Sequence, residues 1–306
     1  MKLLITGGTG TFGQALAEKL LKTTEDEIII FSRDEYKQHL MREKFQSNRL
    51  KFVIGDIRNI ASIDSCMAGV DYVFHAAAMK HVRICEENPQ EAILTNVIGT
   101  ENVLKSATKH DVKKVVVLST DKAVCPQSTL GLTKSLAEKI ALDYVSKSET
   151  KIFITRFGNL MLSRGSVLEK FIELAKRGET LTVTSPKMER FMMTIEDAVD
   201  LILKVFSTNL SGRIFIKKSK VYNILTIAQA INDLYENKAP ITFTSALKGE
   251  KETELLLCNE MVIEHEDFYE IDTDKKTGQL MSVSSENFVK ENFEDTKADL
   301  RKLLQI

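Results

Sequence analysis

The chain has 306 residues, 43% of them hydrophobic and only four of them proline, which is enough apolar material for a large core and excludes an intrinsically disordered segment. Its 42 basic and 43 acidic side chains leave a net charge of −1, which excludes a global field for holding nucleic acid or an anionic membrane surface. No apolar run approaches the roughly eighteen residues of a membrane span, and Met1-Lys-Leu-Leu-Ile-Thr-Gly7 is too short for the apolar region of a signal peptide, so a cytoplasmic protein is expected.

Through the first half, short β-rich runs alternate with amphipathic stretches. Strands are expected at 2–6, 27–31, 51–54, 72–75, 114–118 and 151–155, with helices between them at 12–21, 34–46, 60–67, 89–109 and 133–146. Such an alternation is the pattern of repeated βαβ units. Val115-Val-Val-Leu118, apolar on both faces, suits a sheet covered by helices on both sides. The fold class is therefore α/β, a Rossmann-like doubly wound parallel sheet. After about residue 157 the alternation weakens, and helices at 166–177, 195–207 and 227–235 mix with short strands at 181–184 and 213–217. A smaller C-terminal substrate-binding lobe is implied. The expected division is 1–160 for the nucleotide-binding domain, with segments within 190–225 returning to it, and 161–306 mainly for the lobe.

Thr6-Gly-Gly-Thr-Gly-Thr-Phe-Gly13 follows the first strand and opens the first helix. Gly7 permits the tight turn, Gly10 the close approach of pyrophosphate, and Gly13 the close packing of helix on strand, while Thr11 and Phe12 begin a helix whose N–H groups face the anion. At the end of the second strand, where an acidic residue usually holds the ribose hydroxyls of NAD, the chain has Ser32 and Arg33. A hydroxyl and a guanidinium suit a 2′-phosphate, with Lys37 one helical turn on, so NADP is expected. Asp56, with Ile57 beside it, is expected near the adenine amine, and Ala76, Ala77 and Ala78 let the cofactor pass close to backbone. Cys66, Cys85, Cys125 and Cys258 lack C-x-x-C spacing and read as reduced thiols, and no metal site is expected.

Together with His75-Ala-Ala-Ala-Met-Lys80, Leu118-Ser-Thr-Asp-Lys-Ala123, Arg156-Phe-Gly-Asn159, Ser163-Arg-Gly-Ser-Val167, Arg190-Phe-Met-Met-Thr194 and Gly249-Glu-Lys251, these motifs resemble one family. It is the extended short-chain dehydrogenases that act on nucleotide sugars, and most closely the UDP-N-acetylglucosamine 4,6-dehydratases that also invert C5, in polysaccharide pathways. The resemblance runs from residue 3 to about 253. It implies an NADP-dependent hydro-lyase in which Asp121 and Lys122 are acid and base. Lys134 matches the family's nicotinamide-ribose lysine, Lys80 a lysine facing cofactor and substrate, and Asn159 a substrate contact. Arg164, Ser166 and Val167 open a helix expected to face the UDP diphosphate, Arg190 is a second phosphate candidate, and Glu250 is expected at the uridine ribose. The family's helices matching 89–109 and 133–146 pair between subunits, so a homo-oligomer is expected.

Two positions depart from that pattern. Leu130 stands where most of the superfamily has its proton-transferring tyrosine, which leaves Lys122, Thr120 and Lys134 as candidates to deprotonate the C4 hydroxyl. Leu247 stands where the family has an arginine for the UDP portion, with Lys248 or Lys251 as a replacement cation. The adjacent Asp121 and Lys122 favour dehydration over a 4-epimerase on the same scaffold, because simple epimerisation needs no acid for a C6 hydroxyl. Leu130 and Leu247 motivate a third reading, a catalytically silent NADP-binding protein.

Overall fold

A computed structural model of the chain describes residues 1–236, 239–245, 249–273 and 277–306. Strands β1 (Lys2–Thr6), β2 (Glu27–Ser32), β3 (Leu50–Ile54), β4 (Tyr72–His75), β5 (Lys114–Thr120) and β6 (Lys151–Phe157) coincide with the six expected runs. All pair in parallel, in the order β3-β2-β1-β4-β5-β6. The order reverses between β1 and β4, and the crevice beyond the carboxyl ends of these strands is where such sheets take ligands.

Helices follow each strand: α1 (Thr11–Thr23), α2 (Glu35–Phe45), α3 (Ile60–Met67), α4 (Val82–Glu87), α5 (Pro89–Ile93), α6 (Gly99–Lys109) and α7 (Thr129–Val145). On α1, Phe12, Leu16 and Leu20 recur every fourth residue and pack with Leu3, Ile5, Ile28 and Ile30 on one face of the sheet. On the other face, Ile63 and Met67 of α3, Val103, Leu104 and Ala107 of α6, and Ala141 of α7 meet Leu4, Ile29, Val115 and Val117. Both faces are covered, as the doubly apolar strands require.

Helix α4 is additional to the expected ones, and two expected helices of this half differ in build or start. The stretch expected as one helix over 89–109 is α5, a π-helical turn at Leu94–Ile98, and α6. The wider turn buries Asn96, whose amide donates to Met79 O (3.2 Å) and Thr133 Oγ1 (3.1 Å) while its Oδ1 accepts from Met79 N (2.8 Å). That side chain fixes the loop after β4, which is a reason for the bulge to sit there. Helix α7 begins four residues earlier than expected, because Ser128 caps it by accepting from Gly131 N at 3.1 Å.

The remaining elements are β7 (Asn159–Leu160), α8 (Val167–Arg177), β8 (Leu181–Val183), β9 (Glu189–Met193), α9 (Ile195–Ser207), β10 (Arg213–Lys217), β11 (Lys220–Asn223), α10 (Ile224–Leu234), β12 (Ile241–Phe243), β13 (Leu255–Glu264), β14 (Phe268–Asp272), β15 (Gln279–Ser284) and α11 (Phe293–Leu304). This half of the chain does two jobs. Strand β10 joins β6 in parallel, and β14, β13 and β15 continue the sheet antiparallel to make ten strands, while α9 packs its Val199, Ile202 and Val205 under it. Separately, α8, α10 and α11 enclose Leu168, Phe171, Ile227, Ile231 and Leu300 in a cluster of their own, over the small sheets β11-β9-β7 and β12-β8. Among the described residues no helix is long and apolar enough to cross a membrane.

Candidate active site

A groove of about 760 Å3 runs along the carboxyl edge of the sheet between these two parts. One end is made by the glycine loop. Gly7 has φ 67°, and a Cβ there would come within 2.7 Å of Ala77 N, while a Cβ on Gly13 would lie 2.6 Å from Gly8 Cα. Both contacts are with backbone, so neither position has room for a side chain. Gly10 differs: an added Cβ would meet only Gly7 O, at 3.1 Å, and would otherwise project into open space. Thr11 and Phe12 also line the groove, and α1 starts there without a side-chain cap at Gly10, which leaves its N-terminus for an anion.

Ser32, Arg33 and Lys37 line the next part, with Asp56, Ile57 and the three alanines 76–78. Ser32 Oγ accepts from Gln38 Nε2 at 3.1 Å, and Lys37 pairs with Asp34, the N-cap of α2, at 2.5 Å. Arg33 is 59% exposed, with its nearest carboxylate, Asp56, 4.0 Å away. Asp56 itself is held by Arg58 through contacts of 2.9 and 2.6 Å. Thr95 Oγ1 and Ser119 Oγ, on groove-lining residues, are buried without a hydrogen-bond partner. Two orphaned hydroxyls, an open glycine and an uncapped helix start together fit an extended polar ligand such as a dinucleotide.

The loop 163–166 closes over the glycine turn: Arg164 N donates to Thr11 Oγ1 at 3.0 Å, and Lys80 Nζ donates to Arg164 O at 2.5 Å. Burial, outweighing the opposing charge of Glu169, pulls the Lys80 ammonium below its ordinary value. Ser166 caps α8, and Val167 follows it into the groove lining. The expected anion site at this helix start is partly filled by the chain itself, because the Glu169 carboxylate already accepts from Gly165 N.

At the far end stand the residues of the β5–α7 connection. Lys122 Nζ lies 3.1 Å from Asp121 Oδ1, 3.1 Å from Asn159 Oδ1 and 3.2 Å from Glu254 Oε1. Burial would drain this ammonium of its proton, but the Asp121 and Glu254 carboxylates outweigh it, with Arg190 opposing them, and its pKa is raised. Lys122 and Asn159 line the groove. Asp121 does not: it is fully buried behind Lys122, its Oδ1 also accepting from Thr120 Oγ1 at 2.8 Å and its Oδ2 without a partner. In this arrangement it sets the charge of Lys122 and presents no acid to the groove.

Arg190 and Glu250 are also off the groove. The Arg190 guanidinium is buried and donates to Glu189 O (2.7 Å) and Glu252 O (3.3 Å), reaching Glu250 at 3.4 Å and Glu254 at 3.8 Å. A guanidinium so engaged balances carboxylates within the protein. Lys251, one of the two proposed replacement cations, donates to Val124 O at 2.8 Å; Leu247 and Lys248 lie outside the described residues. Glu254 is the residue that sequence reasoning missed. It is 2% exposed and directly contacts Lys122, but it follows Gly249-Glu-Lys251 in a charged run that reads as a solvated face.

Lys134 is buried, lines the groove and donates to Leu118 O at 2.5 Å. Burial lowers its pKa to about 8 against the opposing charge of Glu138. One turn before it, Leu130 packs with Cys85 and Ala92, so the tyrosine's usual place is apolar throughout. His75, read as a core histidine, is one: its Nδ1 is 2.7 Å from Thr6 Oγ1 and its Nε2 3.0 Å from Thr100 Oγ1, and burial drops its pKa to about 3.

Residues 3–275 match the family described as polysaccharide biosynthesis protein. A relative in Rickettsia conorii called UDP-glucose 4-epimerase is 44% identical over 319 residues, covering 96% of this chain and 94% of the relative. One of the same name in Rickettsia prowazekii is 48% identical over 282 residues, covering 89% and 83%. Among solved structures, Pen from Bacillus thuringiensis superposes with a TM-score of 0.95 at 36% identity, over 99% of this chain and 97% of Pen. DesIV, a dTDP-glucose 4,6-dehydratase from Streptomyces venezuelae, shares the fold at 23% identity with a TM-score of 0.78, over 82% and 86%. With the family matched over nearly its whole sheet and lobe, the chain belongs to the polysaccharide biosynthesis proteins, extended short-chain dehydrogenases that modify nucleotide sugars.

Proposed function

We propose that the protein acts on a UDP-linked hexose through a transient 4-ketone, with NADP as its bound cofactor. The observation that carries this reading is the Lys122 ammonium, held by Asp121, Asn159 and Glu254 at the end of the groove away from the glycine loop. The bound nicotinamide supplies the acceptor and donor of hydride. Gly10 and the start of α1 hold the pyrophosphate, and Arg33 with Lys37 receives the 2′-phosphate. DesIV was solved with NAD; the exposed Arg33 guanidinium is what favours the phosphorylated form here.

Since Leu130 moves no proton, Lys134 Nζ takes the one on the C4 hydroxyl, its lowered pKa leaving a neutral amine accessible near neutral pH. Lys122, kept protonated, donates toward the C4 oxygen and steadies the charge that builds there. Lys122 Nζ donates to Asp121 and Asn159 and is ion-paired with Glu254, and of these three Asn159 is the one that lines the groove, so substrate enters by displacing that contact.

The 4-ketone has two endings. Epimerisation at C4 is the first, supported by relatives of that name at 44% and 48% identity, and by a groove to which the Asp121–Lys122 pair offers one ionised group and no second acid. Asp121 would speak against an epimerase only as a free acid, and it is fully buried. Dehydration across C5 and C6 is the second reading, favoured by the Thr120-Asp121-Lys122 motif with an apolar residue at 130, as in the C5-inverting dehydratases the chain resembles. Incubation with UDP-glucose and UDP-N-acetylglucosamine in deuterated water separates them. An isomer of unchanged mass is the first ending, and a product lighter by one water with deuterium at C5 is the second. No conversion by folded, cofactor-loaded protein overturns both.

Ile84, Ile93, Leu94, Ile98, Leu132 and Leu136 are all exposed, on α4 to α7 and the π-turn between them. This apolar face supports the expected homo-oligomer.

A further inference from the structure

Cys125 and Cys258 are 133 positions apart in the chain, yet their sulfurs lie 2.8 Å from each other and both are free thiols. Two left-handed residues bring them together. Cys125 has φ 42°, and Asn259 has φ 53° inside a register shift between Leu257 and Glu260 that turns Cys258 out of the regular pleat of β13. Cys125 is exposed and Cys258 half-buried, so a small reagent reaches the pair from the side of Cys125. Lys251 Nζ, donating to Val124 O, places a cation beside them. The Cys258 thiol is held above its ordinary value by the hydrogen bond from Cys125 and then by burial, with Lys251 opposing them; burial pushes the Cys66 and Cys85 thiols up to about 11.

The position of the pair gives it a consequence. Cys125 follows Lys122 on the β5–α7 connection, and Cys258 follows Glu254 on β13. The Lys122–Glu254 ion pair at 3.2 Å already joins these two segments. We propose that Cys125 and Cys258 form a thiol–disulfide exchange site, oxidised by a low-molecular-weight disulfide to an intramolecular bond that staples the segment carrying Lys122 to the strand after Glu254. The Cys125 thiolate attacks one sulfur of the small disulfide and expels its first thiolate. Cys258, having lost its proton to solvent, then attacks the Cys125 sulfur and expels the second. Two protein thiols are oxidised, and one external disulfide is reduced to two thiols.

The test needs no knowledge of the substrate. The full chain is equilibrated in glutathione buffers of increasing oxidised fraction, quenched by alkylation and mapped by non-reducing peptide mass spectrometry. The expected result is a Cys125–Cys258 cross-link with a mass lower by two hydrogens, Cys66 and Cys85 alkylated, and a Tm raised by roughly 5 °C that returns to its starting value on reduction. Cys125→Ser and Cys258→Ser, each made separately, should lose both the cross-link and the thermal shift. Glutathione adducts that persist on either cysteine without a cross-link overturn the proposal, and so does a cross-link that leaves Tm unchanged.

Discussion

The two ends of the groove are built in opposite ways. The glycine-loop end is backbone: Gly7, Gly10 and Gly13 lie within seven consecutive residues, a Cβ at Gly7 or Gly13 would strike neighbouring backbone, and one at Gly10 would project into the space left for the ligand. The Lys122 end is side chains: Asp121 and Lys122 from the β5–α7 connection, Asn159 from β7, Arg190 from β9, and Glu250 and Glu254 from the segment before β13. A cradle of the first kind tolerates no change of shape but carries little charge of its own. A cluster of the second kind tolerates changes of shape, but each charge in it is set by the others.

That contrast can be broken at either end. Gly13→Val should have the largest effect, abolishing dinucleotide binding and costing about 1–3 kcal/mol of stability, because the new side chain meets the backbone of Gly7 and Gly8. Cofactor titration by fluorescence and a denaturant melt read both effects. Lys122→Ala should leave the same titration unchanged and lower turnover about 10^3-fold. If cofactor affinity fell as well, the two ends would not be separable. Glu254→Gln is milder. It keeps the shape but leaves Lys122 one carboxylate, so turnover should drop roughly tenfold and the basic limb of the pH–rate profile should move to lower pH. A purely structural Glu254 would lower activity equally at every pH.

Lys134 also lines the groove, bonded to Leu118 O, and its signature is in stability. It sheds its proton at about 8 in the folded chain and at its ordinary 10.5 when unfolded. Between those values the unfolded state binds more protons, so stability rises with pH across that window, and the full cost of burying the charge is present below about pH 8. Lys134→Met should therefore gain on the order of 1–3 kcal/mol at pH 7 and flatten that rise, as measured by urea unfolding at pH 7 and pH 10. The smallest effect is expected at the rim of the cradle. Arg33→Asp should shift preference from NADP toward NAD by about tenfold, and unchanged selectivity would move the 2′-phosphate elsewhere.

How well each region could be read from sequence follows from the same contrast. The glycine loop, the six parallel strands and the helices over them are written locally, in turn residues and apolar periodicity, and were legible. The Lys122 cluster depends on contacts between residues such as 122 and 254 that no periodicity connects. Adjacency made Asp121 look like a partner acid on the surface of the site, whereas β5 ends by turning it fully inside. Arg190 looked free to bind phosphate, because the carboxylates that engage it come from 250–254. The antiparallel strands β13 to β15 were also missed: β13 is bent by a bulge, and its alternation is interrupted at Asn259. The cysteines repeat the lesson, since spacing rules recognise thiols close in sequence and are blind to a pair brought together by two distant bends.

The claim on which the rest depends is that hydrogen leaves C4 of the sugar and comes back to the same molecule, and deuterium at C4 of a UDP-hexose follows it directly. Complete retention of the label is expected, at C4 of an isomer or at C6 of a dehydrated product, with the position naming the ending. Loss of the label to solvent, or conversion at some other carbon with the C4 deuterium undisturbed, would contradict it.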